Sequence, residues 1–161
     1  MPPSDAPPLE QWHPKVRKLY EYWHRIRPAP ERLPGRQHLD PLDIADLMPN
    51  VFMVEMVGDP VRYRYRLVGT RIVAAMQRDV TGRWYDEAHP GVLDHPMHRY
   101  LEERWLAKRA TWRRGRPWLH VDPDIYEIEQ VVLPMARDGE TVDLMLIITV
   151  FFLNDGREAF R

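Results

Sequence analysis

Residues 142–152 read VDLMLIITVFF, and this run constrains the chain more than any other part of it. Its β-branched and aromatic residues make a strand. Asp138-Gly139-Glu140 just before it supplies a hairpin turn from a partner strand over residues 126–137. An antiparallel strand with one wet face alternates apolar and polar side chains. This one does not, so both faces of its sheet must be covered near it.

One cover is visible at the other end of the sequence. Pro14 suits a first helical turn and Pro28 stops the helix. Between them Val16, Leu19, Tyr20, Trp23 and Ile26 recur on one face, with Lys15, Arg17, Lys18, Glu21 and Arg25 on the other. A lone helix of about 14 residues is marginal in water, so this stripe must lie against something. The sheet and a second copy of the chain are compatible partners for it.

The remaining elements follow from local signals. Asp40-Pro41-Leu42-Asp43 starts a short helix that Pro49 closes. Val51 to Val57 is a strand, Gly58-Asp59-Pro60 a turn, and the return strand opens RYRYRL at Arg62. With a period of two, Tyr63, Tyr65 and Leu67 face one way and Arg62, Arg64 and Arg66 the other, where Glu55 can pair with an arginine. The tyrosines then belong to a core face; a lone basic strand is a weak signal for nucleic acid. Thr70 is placed to cap a short helix over 71–77, and a longer helix runs from Asp94 or Pro96 to about Arg109. Three strands follow, over 112–121 (broken near Pro117), 126–137 and 141–153. The expected fold is α+β: one five-stranded antiparallel sheet, with short helices and a connecting helix on one face and the N-terminal helix as flanking cover. The expected layout is a disordered proline-rich tail at 1–9, helix and linker at 10–32, the domain at 33–155, and a tail at 156–161.

Composition removes several function classes. The formal net charge is −1, which gives no global pull toward nucleic acid or anionic membrane. Without cysteine there is no disulfide, thiolate catalysis, cysteine-ligated metal or flavin–cysteine photochemistry. No apolar run approaches a membrane span, and MPPSDAPPLEQ lacks the regions of a secretory signal, so a cytoplasmic protein is expected. Ser4 is the one serine and no phosphate-binding glycine loop occurs, so neither a serine triad nor a nucleotide loop can be built. Asp122, Asp124 and Glu127 read as ordinary turn acids. No enzyme is expected.

The order of elements resembles a PAS domain, and more closely a bacterial family of short stand-alone PAS-like proteins. The resemblance rests on LPGRQHLDPLDI (33–44), LMPNVFMVEM (47–56), YRYRLVGTRI (63–72), RDVTGRWYDE (78–87) and VVLPMARDGETVDLML (131–146). It departs at Gln77, where the family would more often carry glycine. The resemblance implies a sensory or interaction module that binds a small molecule or a protein partner between sheet and helices, and that dimerises through an N-terminal helix. It would gather Tyr63, Tyr65, Leu67, Ile72, Met76, Trp84 and Met97 around a pocket. The tyrosine hydroxyls, an inward Arg66 or Gln130 would be its polar anchors. The same side chains could instead fill the core. No cofactor is named by the sequence.

Two other constellations have bland and sharp readings. His89, Asp94, His95 and His98 could hold a metal through His95 and His98, or His98 could hold a haem. The spacing lacks a zinc-protease motif, and capping by Asp94 with surface imidazoles is the plainer reading. Residues 104–118 interleave arginine with Trp105, Trp112 and Trp118, the best signal for a nucleic-acid- or polyanion-associated regulator. Core packing of the three indoles is the plainer reading. With no transmitter segment expected beyond the last strand, any signal would leave through a homodimer or partner surface.

Overall fold

A computed structural model describes residues 2–160. Its five antiparallel strands are β1 (Val51–Val57), β2 (Arg62–Val68), β3 (Thr111–Gly115), β4 (Ile125–Met135) and β5 (Leu144–Leu153), in the order β2-β1-β5-β4-β3. The last strand in sequence is thus central. It is buried at every position except Leu153, as its unbroken apolar run requires. The fold is the expected α+β, PAS-like one.

One face of the sheet is closed by α1 (Pro14–Arg25). His13 caps it, its Nδ1 accepting the Lys15 N–H at 3.1 Å. Val16, Leu19, Tyr20 and Trp23 are all buried, and Ile26 is half-buried against the same core. The Trp23 indole N–H donates to Pro134 O on β4 at 2.9 Å. A glutamate also lies fully buried beneath this helix. Glu129 accepts the His13 backbone N–H at 2.7 Å and an Arg114 N–H at 3.3 Å. A carboxylate at the positive end of a helix, with a guanidinium beside it, is one of the few settings in which a buried charge is stable.

The described residues at both chain ends, expected as tails, make contacts within the fold. The Trp12 indole donates to Pro7 O at 2.9 Å, and Tyr100 OH donates to Asp5 Oδ2 at 3.0 Å. At the other end Glu158 accepts from Lys15 Nζ at 2.7 Å, and Phe160 packs edge-on to Phe151. Proline-rich composition predicts weak local structure; here long-range partners supply what local structure lacks.

The opposite face carries α2 (Thr70–Met76), α3 (Tyr85–Ala88) and α4 (Pro96–Leu106). Gly69, rather than Thr70, caps α2, and only glycine fits there: a Cβ would lie 2.2 Å from Met48 O and 2.5 Å from Pro49 O. Gln77 ends α2 with φ +60°, the left-handed conformation that glycine adopts at least cost. His95, not Asp94, caps α4, its Nδ1 accepting the Met97 N–H at 3.0 Å. Met97 itself is half-buried at the start of α4.

A correction concerns β2. Val54 pairs with Tyr65 and Glu55 with Arg64, but Met53 pairs with Leu67, because a bulge interrupts the register between Met53 and Val54. One extra residue turns the following side chain to the other face. Leu67 therefore shares the α1 side with Met53, while Tyr63 and Tyr65 point toward α3 and α4. Glu55 pairs with both Arg64 (2.6 Å) and Arg66 (3.4 Å), so Arg66 faces outward. The segment predicted as a long strand over 112–121 is also shorter. β3 ends at Gly115, and residues 116–124 cross the helix-covered face, held by Asp122 N–H to Ala75 O at 2.7 Å.

A candidate ligand site on the helix-covered face

The crossing segment inserts Trp118 and Leu119 between the sheet and the helices. Two cavities of about 40 Å³ each remain, and both are lined by Phe52, Trp118, Leu119 and Gln130. One extends to Ile72 and Met76 and the other to Tyr63 and Trp105. Of these shared residues, Trp118 and Leu119 are the two that come from the crossing loop rather than from the sheet. Gln130 is the polar side chain that lines both cavities, and its amide donates to Thr149 Oγ1 at 2.8 Å.

Beside the cavities lies a ring-on-ring cluster. Tyr63 sits edge-on to Tyr85, His98 and Trp105 with centroids 5.5–6.4 Å apart, and Tyr65 is edge-on to Tyr85 and His89. Tyr63 OH donates to Glu102, whose carboxylate also lies 3.3 Å from His98 Nε2. Tyr65 OH and His89 Nε2 are 2.7 Å apart. Burial, then the nearby Arg78 and His120, pushes the His89 imidazole down to about 4, so it is neutral at pH 7. Burial likewise raises the Tyr65 and Tyr85 phenols far beyond physiological pH.

On the solvent side of Trp118 and Leu119 is an open groove of about 650 Å³. Met76, Val92, Trp118 and Leu119 give it apolar walls; Arg78, His89, His95 and His120 give it its polar lining. Met76 lines both the groove and one cavity.

A family model described as PAS domain matches residues 11–112. The chain belongs to the PAS-domain family. The match begins three residues before α1 and ends in β3, so the matched region includes α1. The strands β4 and β5 complete the sheet of this PAS domain beyond the matched region. No curated protein matches the chain. Among the described residues no helix is long and apolar enough to cross a membrane.

The residues singled out from sequence divide in this PAS domain. Tyr63, Ile72, Met76 and Gln130 border the cavities, with Tyr65 one ring away at His89. Leu67 lies on the opposite face. Trp84 lies at the edge, under the Arg62 and Arg64 guanidinium groups at 4.2 and 5.2 Å from its ring. Met97 packs on the core without bordering either cavity. His95 and His98 diverge: His95 lies over Trp118 (5.0 Å), while His98 is buried among Tyr63, Tyr85 and Trp105. Among the described residues no group of three His, Asp or Glu side chains could hold a metal ion. His98 borders neither cavity.

The Arg/Trp run is spent on packing. Trp105 is buried, Trp112 stacks on Trp12 at 5.9 Å, and Trp118 borders both cavities. Arg114 is held by Glu127 and Glu129 over Phe152, and Arg116 lies on Tyr126. Sequence reasoning missed Phe52, Arg78, Leu119 and His120 as site residues. Phe52 sits on a period-two strand face, which marks it as core; Arg78, Leu119 and His120 lie outside helices and strands, where no periodicity groups them.

Proposed function

We propose that this PAS domain is a sensory module that binds a small molecule by displacing Trp118 and Leu119 from between its sheet and helices. The observation that carries this reading is the pair of cavities that share Trp118 and Leu119, from one loop, as lining. A half-buried indole that borders two voids loses less packing when it moves than one fully enclosed. The signal would pass to a protein partner or a second copy. The α1 stripe named for dimerisation (Val16, Leu19, Tyr20, Trp23, Ile26) is already committed to the chain's own sheet. A homodimer through α1 would therefore use its outer face, where Arg17, Lys18, Glu21 and Arg25 are exposed.

Methionine-methyl NMR tests this, because Met76 borders one cavity and Met145 the other. Trp118→Ala should merge the cavities, and added indole should then shift both methyl signals. Indole leaving both methyls unmoved in a folded variant would rule the reading out. Native mass spectrometry of freshly purified protein would report any bound mass and the subunit count together.

A further inference from the structure

Resting on that reading, we infer that the groove outside Trp118 takes an organic monoanion, an apolar or aromatic body bearing one carboxylate, with the carboxylate held by Arg78. The lining holds four basic side chains and no Asp or Glu. Arg78 makes no ion pair among the described residues. Its Nη2 is occupied by Ala88 O and, at 3.5 Å, by His89 Nδ1, which leaves Nε and Nη1 without a protein partner there. Each of these two nitrogens can donate a charge-assisted hydrogen bond to a carboxylate oxygen. Because His95 Nδ1 already accepts from Met97, the proton of the neutral ring is on Nε2, a second donor on a groove-lining side chain. Met76, Val92, Trp118 and Leu119 supply the surface for an apolar body.

The charge count favours a monoanion over a phosphate cluster or nucleic acid. Arg78 is the one permanent cation in the lining, and buried His89 is neutral at pH 7. The groove on the other face, about 480 Å³, differs in containing a carboxylate: Glu55 pairs with its Arg64 and Arg66, while its third arginine, Arg36, makes no ion pair among the described residues. Occupancy would also be felt inside. The Arg78 Nη2–H donates to His89 Nδ1, so His89 Nε2–H donates to Tyr65 Oη, joining the groove to the core end of β2.

The probes are 2-naphthoate, its neutral amide 2-naphthamide and inorganic phosphate, titrated calorimetrically into the full chain with the Met76 methyl followed by NMR. Naphthoate should bind and shift Met76, and the amide should bind at least tenfold more weakly. Arg78→Gln should weaken naphthoate at least tenfold at unchanged Tm. Arg116→Gln, which removes an exposed charge outside the groove, should leave binding intact. Equal affinity for acid and amide, or wild-type affinity in Arg78→Gln, overturns the assignment of a carboxylate while leaving the displacement of Trp118 to its own indole test. Displacement of naphthoate by millimolar phosphate overturns it in favour of a simple anion site. The absence of binding by naphthoate overturns it outright.

Discussion

The two faces of this sheet are closed by different means. Beneath α1, a single 12-residue helix turns the buried stripe Val16, Leu19, Tyr20 and Trp23 toward the sheet, and polar groups meet there: Trp23 with Pro134, His13 with Glu129. The other face is closed in pieces, by helices of 7, 4 and 11 residues and a crossing loop, and it keeps two cavities at the joint. A helix can present a continuous stripe that fits a sheet; short pieces meet at their ends and leave gaps. The lesson is a division of labour: the α1 face provides stability, and the pieced face has room to respond.

The strongest way to break this comparison is a pair of tryptophans. Trp23→Ala should cost about 3–5 kcal/mol, since it removes a fully buried indole and leaves Pro134 O unpaired. Trp118→Ala, half-buried beside existing void, should cost only about 1–2 kcal/mol. Urea denaturation of both variants measures the difference, and equal losses would mean that the faces are alike.

Acid should act on the pieced face next. His89 titrates near 4 in the fold against an ordinary value of 6.5, so between those values the unfolded chain binds more protons. Its contribution is fully present above pH 6.5 and is lost as pH falls toward 4, by up to about 3 kcal/mol. Denaturation midpoints at pH 7.5 and 4.5, compared with those of His89→Phe, isolate this group; a variant with the same pH slope as the wild type would assign the loss elsewhere.

Smaller effects sharpen the picture. Tyr65→Phe takes the hydroxyl from His89 and should cost about 1–2 kcal/mol, with the His89 ring signals moving in NMR and those of Trp23 staying fixed. Gln77→Gly should go the other way and raise stability by roughly 0.5–1 kcal/mol, because glycine occupies the left-handed end of α2 without strain. A lower thermal midpoint for Gln77→Gly would show that the glutamine side chain contributes more than its backbone costs.

Much of the architecture was legible before any coordinates. The run at 142–152 demanded a doubly covered strand, and β5 is that strand; the stripe from Val16 to Trp23 demanded a cover, and α1 is buried on the sheet. The alternation of Tyr63 and Tyr65 was read correctly. Leu67 was not, because a one-residue bulge leaves no trace in a period-two pattern yet reverses every face after it. The contacts of the chain ends were hidden for a related reason: Pro7, Asp5 and Glu158 are fixed by partners five to 143 positions away.

The candidate site was the least legible part. Phe52, Arg78, His89 and the run Trp118-Leu119-His120 come from four separate segments and share no common spacing. Periodicity reports which side of one element is dry, and that was enough to determine the sheet, its covers and the family resemblance. Only tertiary structure decided that the loop after β3 folds inward, that its tryptophan borders both cavities, and that Arg78 makes no ion pair among the described residues. Those outcomes depend on where chain segments far apart in sequence come to lie, and no local pattern encodes that.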